Sequence, residues 1–381
     1  MKKIAIIGAS YLQEPLIKKA KNKGIETHVF AWQCGDVGEK CADYFYPISI
    51  VEKDEILKKC IEIGIDGICS IASDLASITV NYVADKMGLI GNTMTCVEVS
   101  TNKHEMRKKF AEQRDPSPRS IQVNNYGDLD GIELTYPIIV KPVDRSGSRG
   151  ITKLDSSDGL EKAIEIAKEQ GFKKVALVEE FAMGKEYSVE YISWKGRHTF
   201  LALTQKYTTG APGFIETGHL EPAQVNSEIL KKVQGIVEHA LDSLGVQFGA
   251  SHSELKISKS GDIQLIEIGA RMGGDNIGAY LVELSTGYDF VSAVIDVALG
   301  IQPQYKSTIK KYAAIRFVVS EDDLECLNII KRDNPELLFK EDIQERPSRK
   351  VVDSSSRFGY FIMLSDDVKL LQKYMPAQME D

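Results

Sequence analysis

Cysteine is sparse in this sequence, and the few cysteines show none of the paired spacings that mark metal or redox sites. The 381 residues include six cysteines, which are scattered and form no Cys-x-x-Cys pair. Structural zinc sites and disulfide-rich small domains depend on paired or clustered cysteines. The spacing therefore argues against both, and it predicts reduced thiols in a cytoplasmic protein.

Long apolar runs and an excess of positive charge are also absent. No run approaches the roughly 18 apolar residues that mark a membrane-spanning helix. The 47 Lys and Arg against 55 Asp and Glu give a formal net charge of −8, whereas nucleic acids and anionic membranes attract basic surfaces. We therefore expect small-molecule partners and neither nucleic acid nor membrane, and the sequence leaves open whether the chain forms a homodimer.

Familiar catalytic motifs are missing as well. The sequence has no His-Glu-x-x-His, no Gly-x-Ser-x-Gly and no protein-kinase motif set. Gly8 follows the first predicted strand, but the second and third glycines of a dinucleotide fingerprint are absent. The second strand also lacks the acidic residue expected at its end. These absences disfavour a nicotinamide-dependent oxidoreductase.

Strands and helices alternate through the first hundred residues. Apolar segments at residues 3–7, 25–30 and 66–71 predict buried strands, and apolar residues at helical spacing predict helices between and after them. Such alternation is typical of a parallel sheet with helices on both faces. The total length is sufficient for two or three domains.

Glu254 and Glu267 lie on two predicted strands that a Ser-Gly turn joins. If residues 260–261 form a two-residue hairpin loop, Glu254 stands directly opposite Glu267. Opposed carboxylates repel each other, and a divalent cation such as Mg²⁺ would turn that repulsion into attraction. The alternatives are a solvated sheet edge or a one-residue slip that separates the two side chains. His252 and Lys256 should share the face of Glu254, because strand side chains alternate.

A loop rich in glycine and serine follows a predicted strand that ends in a lysine. Residues 136–142 form the strand with Lys141 near its end, and residues 144–150 form the loop. Small residues let backbone N–H groups approach an anion, so the pattern indicates a phosphate-covering loop. It is not a Walker A loop, because no Gly-Lys-Ser/Thr follows. A flexible surface turn is the alternative.

Two further segments and an arginine complete the candidate binding residues. Residues 178–186 run from an apolar strand into acidic residues and a glycine, which would suit a purine and its ribose. Residues 208–224, rich in Gly, Pro and Thr, are predicted to form a gating loop that carries Glu216 and His219. Arg271 follows the predicted hairpin and can hold a carboxylate or phosphate with two hydrogen bonds. A strand-end turn is the alternative for residues 178–186, and a structural histidine is the alternative for His252.

Taken in chain order, these features resemble the ATP-grasp superfamily, over roughly residues 1–300. The segments His252-Ser253-Glu254 and Glu267-Ile268-Gly269-Ala270-Arg271 look most similar to L-amino acid ligases and their uncharacterised relatives. The ordered set is a parallel α/β unit, Lys103, Lys141 with its loop, the 179–186 segment, Glu254, Glu267 and Arg271.

The resemblance implies an α/β protein with the ATP-grasp fold. A Rossmann-like pre-ATP-grasp domain would span residues 1–98, the ATP-grasp domain 99–304 with a lid subdomain at about 115–182, and a C-terminal α+β subdomain 305–381. The implied activity is an ATP-dependent ligase that activates a carboxylate as an acylphosphate, couples it to an amine and releases ADP and phosphate. The alternatives are a purine-biosynthesis-type ligase, a carboxylase that uses carboxyphosphate, and a nucleotide-binding protein without catalysis.

The resemblance also implies roles for individual residues. Lys103 and Lys141 would contact ATP phosphates, and Lys141 and Arg271 are the expected catalytic residues. Glu254 and Glu267 would hold one or two Mg²⁺, with Mn²⁺ as a substitute; many of these ligases have asparagine as a third ligand where this chain has Gly269. The other expected contacts are to the nucleotide from Ser146, Gly147, Ser148, Gly150, Glu179, Glu180, Ala182 and Glu186, and to the substrate from Glu216, His219, His252 and Arg271.

Overall fold

The N-terminal part of the chain is a parallel sheet, seen in a computed structural model that describes residues 1–145 and 147–378. Its strands pair in parallel in the order β3-β2-β1-β4. They are β1 (Lys3–Ile7), β2 (Glu26–Phe30), β3 (Tyr44–Tyr46) and β4 (Gly67–Cys69). The parallel sheet predicted from the alternation of strands and helices is confirmed.

Helices cover both faces of this sheet, because successive side chains of β1 point in opposite directions. Ile4 and Ile6 pack in one buried cluster with α1 (Glu14–Asn22). After the short helix α2 (Val37–Cys41), α3 (Lys53–Ile63) and α4 (Asp74–Met87) bury the opposite face, with Ala5 and Ile7. The hydroxyl of Ser73 caps the start of α4 by accepting a hydrogen bond from the Ala76 amide.

A second, antiparallel sheet follows the helices α5 (Met94–Thr101) and α6 (Lys103–Gln113). It has the order β5-β8-β6-β7. Helix α7 packs on it through four buried residues at helical spacing, Leu160, Ala163, Ile164 and Ala167. The elements are β5 (Ser120–Val123), a 3₁₀ turn (Tyr126–Leu129), β6 (Ile138–Pro142), β7 (Thr152–Leu154), α7 (Leu160–Gln170) and β8 (Ala176–Glu180).

The largest sheet is antiparallel and has the order β13-β12-β9-β10-β11-β14-β16-β15. Its strands are β9 (Lys185–Trp194), β10 (Arg197–Thr208), β11 (Glu216–Glu221), β12 (Phe248–Ile257), β13 (Ile263–Gly269), β14 (Tyr312–Phe317), β15 (Leu338–Ile343) and β16 (Gly359–Ser365). The helices along this part are α8 (Ser227–Leu244), a π-helical turn (Ile277–Leu281), α9 (Val282–Thr286), α10 (Phe290–Ala298), α11 (Glu321–Asp333), two 3₁₀ turns (Pro335–Leu337 and Ser354–Ser356) and α12 (Val368–Gln372). Residues 312–365 therefore extend this largest sheet by three strands, β14, β16 and β15.

Helix α8 shows why the local sequence folds as it does. Asn226 accepts a hydrogen bond from the Ile229 amide and begins the helix, and Gly245 ends it in a left-handed conformation with φ of 73°. Val233, Val237, Ala240, Leu241 and Leu244 recur at helical spacing and pack into one buried cluster beneath the large sheet. Apolar residues at helical spacing over residues 229–244 predict an amphipathic helix, and the structure confirms it. Among the described residues, no helix is long and apolar enough to span a bilayer.

The prediction of a loop over residues 208–224 is wrong in its second half. Residues 216–221 form β11, which pairs with β10 on one side and β14 on the other. Strand formation there depends on pairing with β14, about a hundred residues later in the chain, rather than on local propensity. Composition alone therefore could not separate this strand from the Gly- and Pro-rich loop before it.

Candidate active site

The strands β12 and β13 place Glu254 directly opposite Glu267, as predicted, but by a different route. Near the turn, Ile257 pairs with Ile263, and the Ser258 amide donates to the Asp262 carbonyl at 2.9 Å, so the connection is one residue longer than the predicted loop. A β-bulge beyond Leu255 then shifts the register by one residue. The bulge compensates for the longer loop, and both glutamates face the same cavity.

One cavity of about 290 Å³ collects nearly all of the predicted binding residues. Its walls come from strands of the two antiparallel sheets, and Leu12, Ala72 and Asp74 of the N-terminal part also line it. Gly150 does not line it, and Ser146 lies outside the described residues. The predicted residues that line the cavity are Lys103, Lys141, Gly147, Ser148, Glu179, Glu180, Ala182, Glu186, Glu216, His219, His252, Glu254, Glu267 and Arg271.

Lys103 joins the start of α6 to the predicted metal carboxylates. Asn102 caps the helix by accepting from the amides of His104 and Glu105, which fixes the neighbouring lysine at the cavity wall. The Lys103 Nζ donates to Glu267 Oε1 at 2.7 Å and to the Arg145 carbonyl at 2.8 Å. This buried lysine therefore connects a carboxylate on β13 with the loop after β6.

Glu179 on β8 is buried between two cations. Its carboxylate pairs with Lys141 on β6 and accepts from Arg107 Nε on α6 at 2.6 Å, and all three side chains are less than a tenth exposed. Burial alone would raise the pKa of Glu179, but Arg107 and Lys141 outweigh burial and lower it. Burial also lowers the pKa of Lys141, against the attraction of Glu179. The ammonium group of Lys141 is thus held at the cavity floor by a neighbouring carboxylate.

Lys206, on β10, is a site residue that the sequence prediction missed. Its Nζ lies 2.7 Å from Glu186 Oε1, 2.7 Å from Glu254 Oε1 and 3.8 Å from Glu216 Oε1. Burial opposes its charge, yet these three carboxylates raise the pKa of Lys206 well above its usual value. The available signal was a lysine inside an otherwise buried strand, which is costly unless the charge is paired.

His252 is a charged neighbour of the same carboxylates. Its Nδ1 pairs with the buried Glu190, and its Nε2 lies 3.4 Å from Glu254 Oε1. Burial would lower the pKa of His252, but Glu190 raises it to about 9. The imidazolium therefore adds positive charge beside Glu254 at neutral pH, and the predicted shared face of His252 and Glu254 is confirmed.

Arg271 is held from the N-terminal part of the chain. Its Nε and Nη2 donate to the two carboxylate oxygens of Asp74, at 2.7 and 3.1 Å, from the first turn of α4. Gly269 lies against this pair, since a Cβ there would be 3.2 Å from Arg271 Nε and from Asp74 Oδ1. A larger side chain at the position of the expected asparagine would therefore press on the Asp74–Arg271 pair. Asp74 was not among the predicted residues.

His219 and Glu216 also line the cavity, and they lie on β11 rather than in a loop. His219 Nε2 lies 3.3 Å from Asp275 Oδ2, and Arg357 forms a two-point pair with the same carboxylate. The Arg357 guanidinium also stacks over the Phe317 ring at 3.6 Å. Asp275 and Arg357 were missed, because their pairing with His219 joins three distant parts of the sequence.

Glu221 is a buried carboxyl group on β11, just beyond the cavity lining. Thr204 and Ser285 donate hydrogen bonds to it at 2.6 and 2.7 Å, but burial dominates and raises its pKa from 4.5 to about 7. A raised pKa in the fold means that stability is full at low pH and is lost as the pH rises through about 7. The neutral form of Glu221 is the one that this environment favours.

We expect Glu221→Gln to stabilise the protein at high pH and to change little at low pH. The amide cannot ionise, so the variant should gain about 1–3 kcal/mol in the free energy of unfolding at pH 8.5 and nearly nothing at pH 4. Urea denaturation at both pH values measures the difference. The surface variant Glu228→Gln on α8 serves as the control, and an equal effect of Glu221→Gln at both pH values would contradict the argument.

The donor set suits a cation that keeps part of its water. Among residues 1–145 and 147–378, no group of three or more His, Cys, Asp or Glu side chains is arranged to hold a metal ion. Glu254 and Glu267 nevertheless form an opposed pair in the cavity, each already facing a lysine. Two carboxylates with room for water and phosphate oxygens fit Mg²⁺ better than a dedicated protein cage would.

Comparisons with known proteins identify the domain. A family model described as the ATP-grasp domain matches residues 134–279. Alanine–anticapsin ligase of Bacillus subtilis (strain 168) is 27% identical over 297 residues, covering 69% of this chain and 62% of that ligase. The chain thus spans less than two thirds of the length of this curated relative.

Solved structures match almost the whole chain. An L-amino acid ligase from Bacillus licheniformis has a TM-score of 0.85 at 22% identity, covering 98% of this chain and 96% of that chain. N5-carboxyaminoimidazole synthetase from Staphylococcus aureus, complexed with ADP, has a TM-score of 0.78 at 16% identity, covering 98% and 95%. Likeness at these identities establishes the fold, and the predicted ATP-grasp fold is confirmed.

The sequence match and the shared fold agree with the order of charged residues around the cavity. The matched segment 134–279 contains Lys141, Glu254, Glu267 and Arg271. Residues 134–279 therefore match the ATP-grasp domain, and the chain has the ATP-grasp fold.

Proposed function

We propose that the chain is an ATP-dependent ligase that activates a carboxylate and joins it to an amine. The observation that carries the proposal is that Lys103, Lys141, Glu254, Glu267 and Arg271 surround a single cavity. Cations beside a pair of metal-binding carboxylates are what phosphoryl transfer requires, since the protein mainly positions the reactants and neutralises developing charge. The similarity to alanine–anticapsin ligase supports amino acids as the reactants.

In this proposal the nucleotide occupies the end of the cavity between the small and large sheets. Glu179, Glu180 and Ala182, along the β8–β9 connection, border the adenine, and Glu186 binds the ribose. Lys103 and Lys141 contact the phosphates, and the loop residues Ser146, Gly147, Ser148 and Gly150 cover them. The support is that most of these residues line the same cavity.

Glu254 and Glu267 are the proposed ligands for Mg²⁺, with Mn²⁺ as a substitute. The bound cation would supply charge neutralisation for the phosphate oxygens. The chain supplies Lys206 and His252, which keep Glu254 ionised: burial would raise the pKa of Glu254, but both neighbours lower it strongly. Gly269 offers no third side-chain ligand, so water and phosphate oxygens would complete the coordination.

The proposed chemistry has two steps. A carboxylate oxygen of the acid attacks the γ-phosphorus of ATP, which breaks the bond to ADP and forms an acylphosphate. The amine then attacks the acyl carbon and expels phosphate. Lys141 and Arg271 would stabilise the negative charge, and the loop at 147–150 would keep water from the intermediate. Glu216, His219 and His252 are the proposed substrate contacts, since they line the same cavity.

An ADP-release screen with Mg-ATP and pairs of amino acids tests the function. We expect ADP and phosphate release only when an acid and an amine are both present, with a product whose mass is their sum less one water. Mass spectrometry of the mixture identifies the product. ADP release that depends on bicarbonate would instead indicate a carboxylase, and tight ATP binding without turnover would indicate a binding protein.

A further inference from the structure

The 3₁₀ turn that precedes β16 contacts both the loop at 147–150 and Glu216 in the cavity wall. We refer to residues 353–356 as the 353–356 turn. Asp353 begins it, and its Oδ1 accepts from the amides of Ser355 and Ser356 at 3.0 and 2.9 Å. These hydrogen bonds hold the turn together. The second carboxylate oxygen of Asp353, Oδ2, takes no part in them.

That second oxygen meets the loop that would cover the ATP phosphates. Arg149 Nε lies 3.4 Å from Asp353 Oδ2, and Arg149 Nη2 donates to Ser355 Oγ at 3.1 Å. The neighbouring Ser148 donates from Oγ to the Phe214 carbonyl at 2.9 Å. The loop at 147–150 therefore forms hydrogen bonds both with the 353–356 turn and with the segment that leads into β11.

The same turn also reaches the proposed substrate end of the cavity. Ser354 Oγ donates to Glu216 Oε2 at 2.5 Å. Just after the turn, Arg357 donates to the Glu216 carbonyl at 3.4 Å while it pairs with Asp275. The turn thus bridges Arg149, on the nucleotide side, and Glu216, on the substrate side.

We infer that the 353–356 turn is a latch that couples closure of the 147–150 loop over the nucleotide to the position of Glu216. The inference rests on the proposed function and extends it, by giving the C-terminal strands a role in the site. Closing the loop forms the Arg149 contacts and fixes the turn, and the fixed turn holds the Glu216 carboxylate. Asp353 and Ser354 are positioning residues, since they act through Arg149 and Glu216.

Asp353→Asn tests the latch with little disturbance of the turn. The asparagine retains the Oδ1 acceptor for the two capping amides and replaces only the oxygen that faces Arg149. Because the pair is partly exposed, we expect a two- to five-fold faster release of a fluorescent (mant) ADP analogue, measured by stopped flow with Mg²⁺. In hydrogen exchange, Mg-AMP-PNP should slow exchange at residues 209–216 of the wild type at least two-fold, and should have no such effect in the variant.

Glu321→Gln is the matched control, because it removes a charge of the same sign from the Arg346–Glu321 pair on the surface of the C-terminal strands and helices. It should leave both measurements unchanged. Equal release rates and equal protection in Asp353→Asn and wild type would overturn the latch alone, as would the same change in Glu321→Gln. A wild type that binds neither nucleotide would remove the proposed function and the latch together.

Discussion

Glu267→Gln is expected to lower the rate of ADP release by about a thousand-fold or more while the fold stays intact. The change removes the charge that faces Lys103 at 2.7 Å and that we propose binds Mg²⁺ opposite Glu254. Both effects weaken stabilisation of the transferring phosphoryl group. The initial rate is measured with the acid and amine identified by the screen, and Mg²⁺ dependence of AMP-PNP binding gives a second reading.

The control for this variant is Glu228→Gln, which alters an exposed ion pair with Lys232 on α8. It should retain the wild-type rate and the wild-type response to Mg²⁺. Thermal unfolding of both variants separates loss of the site from loss of the fold. Full turnover in a folded Glu267→Gln variant would refute the metal role of this carboxylate, and with it the central part of the proposed site.

Glu179→Gln is expected to destabilise the protein by about 3–5 kcal/mol at pH 7, because two buried cations lose their shared carboxylate. Arg107 and Lys141 are both almost fully buried, so water cannot replace the lost partner. Burial already lowers the pKa of Lys141, and loss of Glu179 would lower it further. The fold then favours neutral Lys141, so the loss in free energy of unfolding relative to the wild type should become smaller as the pH rises toward 10. Urea denaturation between pH 7 and 10 measures it.

Two further variants make this result specific. Glu161→Gln, on the exposed side of α7, should change the free energy of unfolding by no more than about 0.5 kcal/mol. The double variant Glu179→Gln/Lys141→Met removes one of the two buried cations that Glu179→Gln leaves without a carboxylate. It should therefore recover part of the lost free energy of unfolding. If the double variant is instead the less stable of the two, the stability of this region does not depend on the balance of these charges.

Local patterns in the sequence predicted the elements that depend on local chemistry. An apolar segment predicted β1, helical spacing predicted α8, and strand period placed His252 and Glu254 on one face. The predicted opposition of Glu254 and Glu267 is also correct, but for a different reason. The loop is one residue longer than predicted, and the bulge in β13 shifts the register back by one residue. Turn type and bulge depend on backbone strain and packing that residue spacing does not specify.

Features that need distant pairing were missed. Strand β11 is defined by β10 and β14, and nothing in its Gly- and Pro-rich surroundings reveals those partners. Lys206 acquires its role from carboxylates on three other strands, and Arg357 acquires its role from Asp275 and Glu216. Ordered motifs therefore indicated the ATP-grasp fold, whereas the charge network around the cavity required the structure.

The ion pair between Asp74 and Arg271 limits which chimeras of this protein and its relatives can keep the site intact. The matched domain at 134–279 contains the arginine, but the carboxylate that orients it comes from the helix after β4. A chimera that exchanges only the first hundred residues would separate the two unless the donor supplies an equivalent acid. Crossover points should accordingly keep α4 and the segment after β13 from the same parent.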